Sequence, residues 1–378
     1  MSCLKIILVI LILKVDVFAQ GMALQKANKH YDSYEYKDAA DFYELALKKE
    51  ENVNATRNLA YCYWKLNDMK QAEKWLAKAV GLKDAKAEDY LYYAQTLESN
   101  KKYEQAKKWF DKYNSVSVND KRGKRFSESL SNLNEFYVDS GNYKVVFVKG
   151  LNTGGSDFSP VFYKNGITYV SERNHDKFST SSFQWDQSHY LDLYYAEFED
   201  KDFILFKKEE PLNKKLNTKY HEGPFAMNRD QTFMVFTRNN YYQKKVALSN
   251  DGVNKLMLFY NEYKDDKWMA EENFPYNNDN YSCGHPALTA DGKTMYFVSD
   301  MQGSLGGTDI WISRLENSKW TKPENAGPVI NTEGNEMFPT LIKDSVLYFA
   351  SNGQGGLGGL DVFAIPFNSG KLGTVKNI

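Results

Sequence analysis

The sequence predicts an α + β multidomain protein: an α-solenoid over residues 20–136, then a β-propeller over residues 141–378 with four recognisable blade units. Three observations carry this. Small and aromatic residues recur every 33 or 34 positions early in the chain, the length of one helix pair. After Ser140-Gly141 the texture changes to short alternating strands, and a proline recurs at intervals of 64, 62 and 53 residues. The 27 Tyr and 23 Phe among 378 residues favour packed β-structure in part of the chain.

The first nineteen residues read as a signal peptide. Lys5 supplies a positive start, Ile6 to Leu13 an unbroken apolar run, and Val17 and Ala19 small residues before Gln20. That run is too short for a bilayer core, which needs about 20 residues. Export is therefore expected, with no transmembrane segment in the mature chain. A formal net charge of −1 argues against nucleic acid or an anionic membrane as partner. Cys3 leaves with the leader, and Cys62 and Cys283 are too few for a disulfide framework or a zinc site. They are expected as small buried hydrophobes.

From Met22 to about Tyr113 the pattern is helical and periodic. Tyr36, Met69 and Tyr103 form one row, Ala39, Ala72 and Ala106 a second, and Tyr43, Leu76 and Phe110 a third. Ala46, Ala79 and Tyr113 make a fourth. A small side chain lets two helices approach, and the bulky residue four positions on fills the adjoining gap. With Leu59-Ala60, Tyr63 and Asp68 in the middle unit, the segment resembles the tetratricopeptide repeat. Three repeats are expected, with Asp120 to Phe136 as a capping helix. The third unit departs at Tyr113, so its last helix should pack differently, as terminal repeats do. Such an array offers a concave groove for peptide or protein; the alternative is a spacer or docking platform.

The β-region repeats four times. The prolines lie in "DFSPVF" (Pro160), "HEGPFAM" (Pro224), "CGHPAL" (Pro286) and "EMFPTL" (Pro339). A strand ending in a small hydroxyl residue follows each: Ser171, Thr237, Ser299 and Ser351. A further strand starts at Asp192, Lys255, Asp309 and Asp361. Four-stranded units of this length are propeller blades, whose radial stacking protects sheet edges. The glycine stretches "GSLGGTDIW" and "GQGGLGGLDVF" then become the hairpins between second and third strands, with Asp309 or Asp361 bonding the turn backbone. A phosphate loop would need a following helix, and a strand follows here. A calcium β-roll would recur every nine residues, whereas these copies are 52 apart. Unit two lacks the glycines and the Asp, so its hairpin should be longer and irregular.

"SPVFYKNGITYVSER", "HPALTADGKTMYFVSD" with "GGTDIWIS", and "FPTLIKDSVLYFAS" with "GGLDVFAI" resemble WD-like propeller repeats of the TolB type. The whole order of leader, helical repeats and propeller resembles Bacteroidetes envelope proteins of the PorE-like, OmpA-family type. That resemblance implies a periplasmic, outer-membrane-associated scaffold of the type IX secretion or gliding apparatus. It also implies peptidoglycan as a partner, through a C-terminal domain not seen here. At the last blade two alternatives stand: a fragment, or a ring closed by a strand from Tyr143 to Gly150.

No Gly-x-Ser-x-Gly elbow occurs, and His30, His175, His189, His221 and His285 include no His-Glu-x-x-His pair. His221-Glu222 sits in a repeated structural slot. Asp157, Glu222 and Glu336 precede the blade prolines and could line a channel that binds a cation or basic peptide; hydrogen bonding within the first strand is the alternative. Trp185, Trp268, Trp311 and Trp320 are expected as inter-blade packing. No catalytic residue, metal ligand or cofactor is assigned. The expectation is a non-enzymatic scaffold whose groove and propeller face hold envelope proteins; the alternative is a propeller hydrolase or lyase acting on envelope glycan or peptide.

Overall fold

The computed structural model describes all residues except 1–20, 49–50, 139, 143, 174–181, 202–203, 213–215 and 369–370. The expected leader and His175 therefore lie outside the described residues. No described helix is long and apolar enough to cross a membrane. The chain forms two compact units. The helical one runs to Ser131 and also includes Ser182–Ser188 and Leu357–Gly359; the β-unit holds the remainder.

The helical unit contains α1 (21–32), α2 (Tyr36–Leu47), α3 (Val53–Lys65), α4 (Met69–Ala79), α5 (Ala87–Ser99), α6 (Tyr103–Val116) and α7 (Arg122–Ser131). The rows read from the sequence mark equivalent places. Tyr36, Met69 and Tyr103 open α2, α4 and α6, and Ala39, Ala72 and Ala106 are all fully buried. Each pair turns on a left-handed residue at the same position: Tyr34, Asn67 and Lys101, with φ near 60°. Asn52 and Asp68 cap α3 and α4 by accepting from the backbone N–H of Ala55 and Gln71.

The third pair closes differently, as expected. Tyr113 is buried and its hydroxyl donates to Asp120, 2.7 Å away. The close approach moves one helix on, to Gly123 of α7. A Cβ there would stand 2.9 Å from the Asn114 nitrogen and 3.0 Å from the Phe110 carbonyl oxygen. Phe126 then stacks on Phe110 with centroids 4.9 Å apart. The capping helix is shorter than expected, since the chain tightens to a 3-10 turn at Leu133–Tyr137.

The β-unit is a four-bladed propeller. Each blade is an antiparallel meander of three main strands. They are Asp157–Tyr163, Gly166–Ser171 and Asp192–Glu197 in blade one, and Glu222–Met227, Phe233–Asn239 and Leu256–Lys264 in blade two. Blade three has Cys283–Leu288, Thr294–Ser299 and Asp309–Glu316; blade four has Glu336–Ile342, Val346–Ser351 and Asp361–Asn368. The outer edge of blades two to four is a pair of two-residue strands, such as Lys319–Trp320 and Glu324–Asn325. First strands face one another across the centre: Phe158 meets Phe338 edge-on at 5.8 Å, and His285 stacks on Phe338 at 4.2 Å.

The four prolines sit in β-bulges. Register shifts between Phe158 and Val161, Glu222 and Phe225, Gly284 and Ala287, and Met337 and Thr340. A bulge is where an inner strand can spare the N–H that proline lacks. The preceding residue takes positive φ in three blades, at Ser159, His285 and Phe338.

Both glycine stretches are the second-to-third-strand hairpins. Asp309 accepts from the Leu305 backbone N–H at 2.8 Å and from the Asn325 amide at 2.6 Å. The longer connection of blade two carries its own small hairpin, Tyr241–Tyr242 with Lys245–Val246.

Three expectations need correcting. Residues 144–148 form no strand, and blade four pairs instead with Lys371–Leu372 and Lys376–Asn377. The residue in register with Ser171, Ser299 and Ser351 is Arg238, not Thr237. Trp185 packs in the helical unit and not between blades. Cys62 and Cys283 are free and fully buried, and burial pushes both thiols up to about 12.

Candidate functional site

The three carboxylates singled out in the sequence each lie at the head of a blade, held by a local motif. In "LNTGGSD", "LNTKYHE" and "INTEGNE" a threonine stands four residues before the acid. The Thr218 backbone N–H and hydroxyl donate to Glu222 at 2.9 and 2.7 Å; Thr332 does the same to Glu336 at 2.8 and 2.7 Å. Thr153 holds Asp157 likewise, its hydroxyl at 2.7 Å. Ser171 and Ser351 on the second strands donate to Asp157 and Glu336 at 2.6 Å. Blade three has Cys283 in register with these acids, its Sγ 3.7 Å from Ser299 Oγ.

Ahead of the first strand of blades two, three and four an asparagine clamps the preceding blade. Asn217 and Asn331 each accept from and donate to one backbone residue, Leu193 and Ile310 respectively, and Asn277 does so with Leu258. Sequence reasoning missed this motif, although the recurring Asn-Thr before each acid signalled it.

Glu222 and Glu336 are fully buried. Burial, ahead of the hydrogen bonds from Thr218, pushes Glu222 up to about 8, and burial pushes its neighbour Asp192 up to about 6. Burial raises Glu336 as well, with Asp309 adding to the effect. The three acids do not bring their ligand atoms within 4.8 Å of one another. Among the described residues only His30, Glu35 and Asp38 bring three ligand-type groups within 4.8 Å. There His30 pairs with Glu35, while Asp38 accepts from the Gln187 amide at 2.7 Å. His221 Nδ1 accepts from the Leu191 backbone N–H at 3.1 Å, and burial lowers His285 to about 4, keeping it neutral.

A different arrangement can bind. On α1, α3 and α5 four half-buried rings form a continuous ladder. Tyr31 lies 6.0 Å from Tyr61, Tyr61 5.9 Å from Trp64 and 5.6 Å from Tyr92, and Trp64 4.4 Å from Tyr92. Lys65 places its ammonium 5.2 Å over Tyr61 and 5.4 Å over Trp64. Burial lowers its pKa, while it raises Tyr92 to about 12, so the phenol stays neutral. Trp185 caps one end, its ring 4.6 Å from Tyr36 and its carbonyl accepting from the Lys37 N–H. Half-buried Tyr and Trp with a nearby cation combine apolar area with polar edges, the make-up of protein-binding hot spots. Periodicity could not reveal this ladder. Tyr31 and Trp64 are 33 residues apart, but Tyr61 and Tyr92 belong to other rows.

No protein-family model and no curated protein matches the chain. Solved structures match parts of it. The Arabidopsis OM64 TPR domain is 24% identical over 31% of this chain and 98% of its own, with a TM-score of 0.27. The first TPR of Spaghetti (RPAP3), bound to an HSP90 peptide, is 21% identical over 31% of this chain and 93% of its own, at 0.27. Over 58% of this chain and 74% of its own, a thermostable family-43 glycoside hydrolase is 12% identical, at 0.36.

Proposed function

We propose that this protein is a non-enzymatic scaffold of the cell envelope that holds protein partners, with the helical unit recognising an exposed polypeptide segment. The observation that carries the reading is the ladder Tyr31–Tyr61–Trp64–Tyr92. Four rings linked one to the next on the helical core keep part of their surface exposed, apolar area that folding leaves uncovered. The export leader read in residues 1–19 and the order of the two repeat regions support an exported, periplasmic, outer-membrane-associated protein. They also support a role beside type IX secretion or gliding components, with peptidoglycan reached through a further domain.

The experiment compares capture of envelope proteins by the full chain and by the double variant Trp64→Ala/Tyr92→Ala. Both side chains lend part of their surface to the helical core, so circular dichroism first establishes that the variant is folded. It is then expected to lose at least about tenfold in recovered partner, since each aromatic hot spot is worth about 2 kcal/mol. Undiminished capture by a folded double variant would refute the assignment of the ladder. Turnover of a glycan or peptide by the purified wild type would refute the non-enzymatic role.

A further inference from the structure

We infer that the junction of blades one and two is a pocket for an aromatic side chain of a protein partner, one followed by a basic residue. A cavity of about 500 Å³ opens there, between Tyr163 of blade one, Leu212 of the connection, and Phe225, Met234, Tyr263 and Trp268 of blade two. Its origin shows when the next junction is compared. Trp320 of blade three pairs with Leu315 just as Trp268 pairs with Tyr263. Yet Trp320 is only 5% exposed, because it packs on Phe233 and Phe274 of blade two at 6.2 and 6.0 Å.

The strand registers place Gly166 of blade one where blade two has Phe233. They place Leu212, after Glu210–Pro211, where blade two has Phe274, after Glu272–Asn273. One phenyl ring is therefore missing and a second is replaced by a smaller side chain, and Trp268 is left half-exposed. The chain cannot restore the first ring at Gly166, because a Cβ there would lie 2.1 Å from the Ala196 carbonyl oxygen. The cavity thus includes the positions that the same scaffold fills with phenylalanine one blade further on.

The mouth adds charge selectivity. Gln231 Oε1 accepts from the Lys164 backbone N–H at 3.1 Å, tying the two rim turns together. The Lys164 ammonium already lies 5.1 Å over the Tyr163 ring. Asp230 is exposed and forms no ion pair among the described residues. A cation beside the incoming ring is thus the matched neighbour.

Ligand-observed NMR on the full chain tests this with N-acetyl-Phe-Lys-amide, its Phe-Glu and Ala-Lys counterparts, and N-acetylglucosamine. Saturation transfer to the phenyl protons is expected, several-fold stronger for Phe-Lys than for Phe-Glu, and absent for Ala-Lys and the sugar. Leu212→Phe, which supplies a ring from within, should abolish it; Trp268→Ala provides a second variant should the first misfold. Asp230→Asn should erase the preference for lysine over glutamate. Phenyl binding that is absent from wild type, or unchanged in Leu212→Phe and in Trp268→Ala, overturns the proposal. A sugar signal at this pocket in place of the phenyl signal overturns it equally.

Discussion

Replacing Glu336 by alanine is expected to destabilise the β-unit by about 3–5 kcal/mol, among the largest effects of any single substitution. The carboxylate accepts from the Thr332 N–H, the Thr332 hydroxyl and the Ser351 hydroxyl, and its surroundings exclude water completely. Alanine strands a buried amide donor and two hydroxyls, each costing about 1–3 kcal/mol where it cannot turn to another acceptor. Glu336→Gln should cost far less, because the two hydroxyls can rotate to accept from the new amide while its oxygen keeps the Thr332 N–H. Glu324→Ala is the surface control: its partner Arg314 is exposed, and such pairs contribute about 0–1 kcal/mol. Hydrogen exchange of the peptides spanning residues 332–351 reports the opening free energy of this unit alone. Equal protection in Glu336→Ala and Glu324→Ala would sink the account of the Thr-acid motif.

The second large effect is on pH dependence. Glu222 faces Thr218, Asp192 and its cross-strand partner Arg238. Its folded pKa rises from the ordinary 4.5 to about 8, and that of Asp192 from 3.8 to about 6. A carboxyl raised in this way holds its proton in the folded state after the unfolded chain has released it. The folded state thus binds more protons above about pH 4.5, and stability falls as pH rises until the folded pKa is passed. The stabilising contribution is complete below about pH 4 and is lost progressively towards pH 8. The slope is about 1.4 kcal/mol per pH unit for each extra proton bound. Denaturant midpoints of the β-unit should therefore drop between pH 5 and pH 8. Glu222→Gln, neutral at every pH, should flatten most of the profile. A midpoint that rises over this range in wild type would contradict the buried acid pair.

Much of the architecture was legible because the residues that repeat are those packing forces to repeat. Ala39, Ala72 and Ala106 lie at the same position of equivalent helices and are all fully buried, where a small side chain lets the paired helices approach. The blade prolines were legible for a related reason: an inner strand can admit proline only at a bulge, so proline marks the same bulge four times. What escaped the sequence depends on single contacts, which carry no period. Arg238 replaces the expected hydroxyl residue in blade two because Glu271 lies 2.7 Å from its guanidinium and Phe259 offers a ring face at 4.3 Å. Trp185, read as a blade residue, belongs to the helical unit through Tyr36 and Lys65. Asp157, Glu222 and Glu336, read as residues that could line a channel, share one register position, and each carboxylate accepts from the threonine four residues before it. The ring ladder on α1, α3 and α5 was invisible because Tyr61 and Tyr92 fall outside the row that Tyr31 and Trp64 share.

A photo-reactive amino acid placed at Trp64 in cells of origin, with the same group at exposed Glu104 on α6 as reference, tests the scaffold reading most directly. The ladder predicts covalent adducts with a second polypeptide at position 64 and none at position 104. Absence of any polypeptide adduct at 64, or equal yields at the two positions, would contradict it.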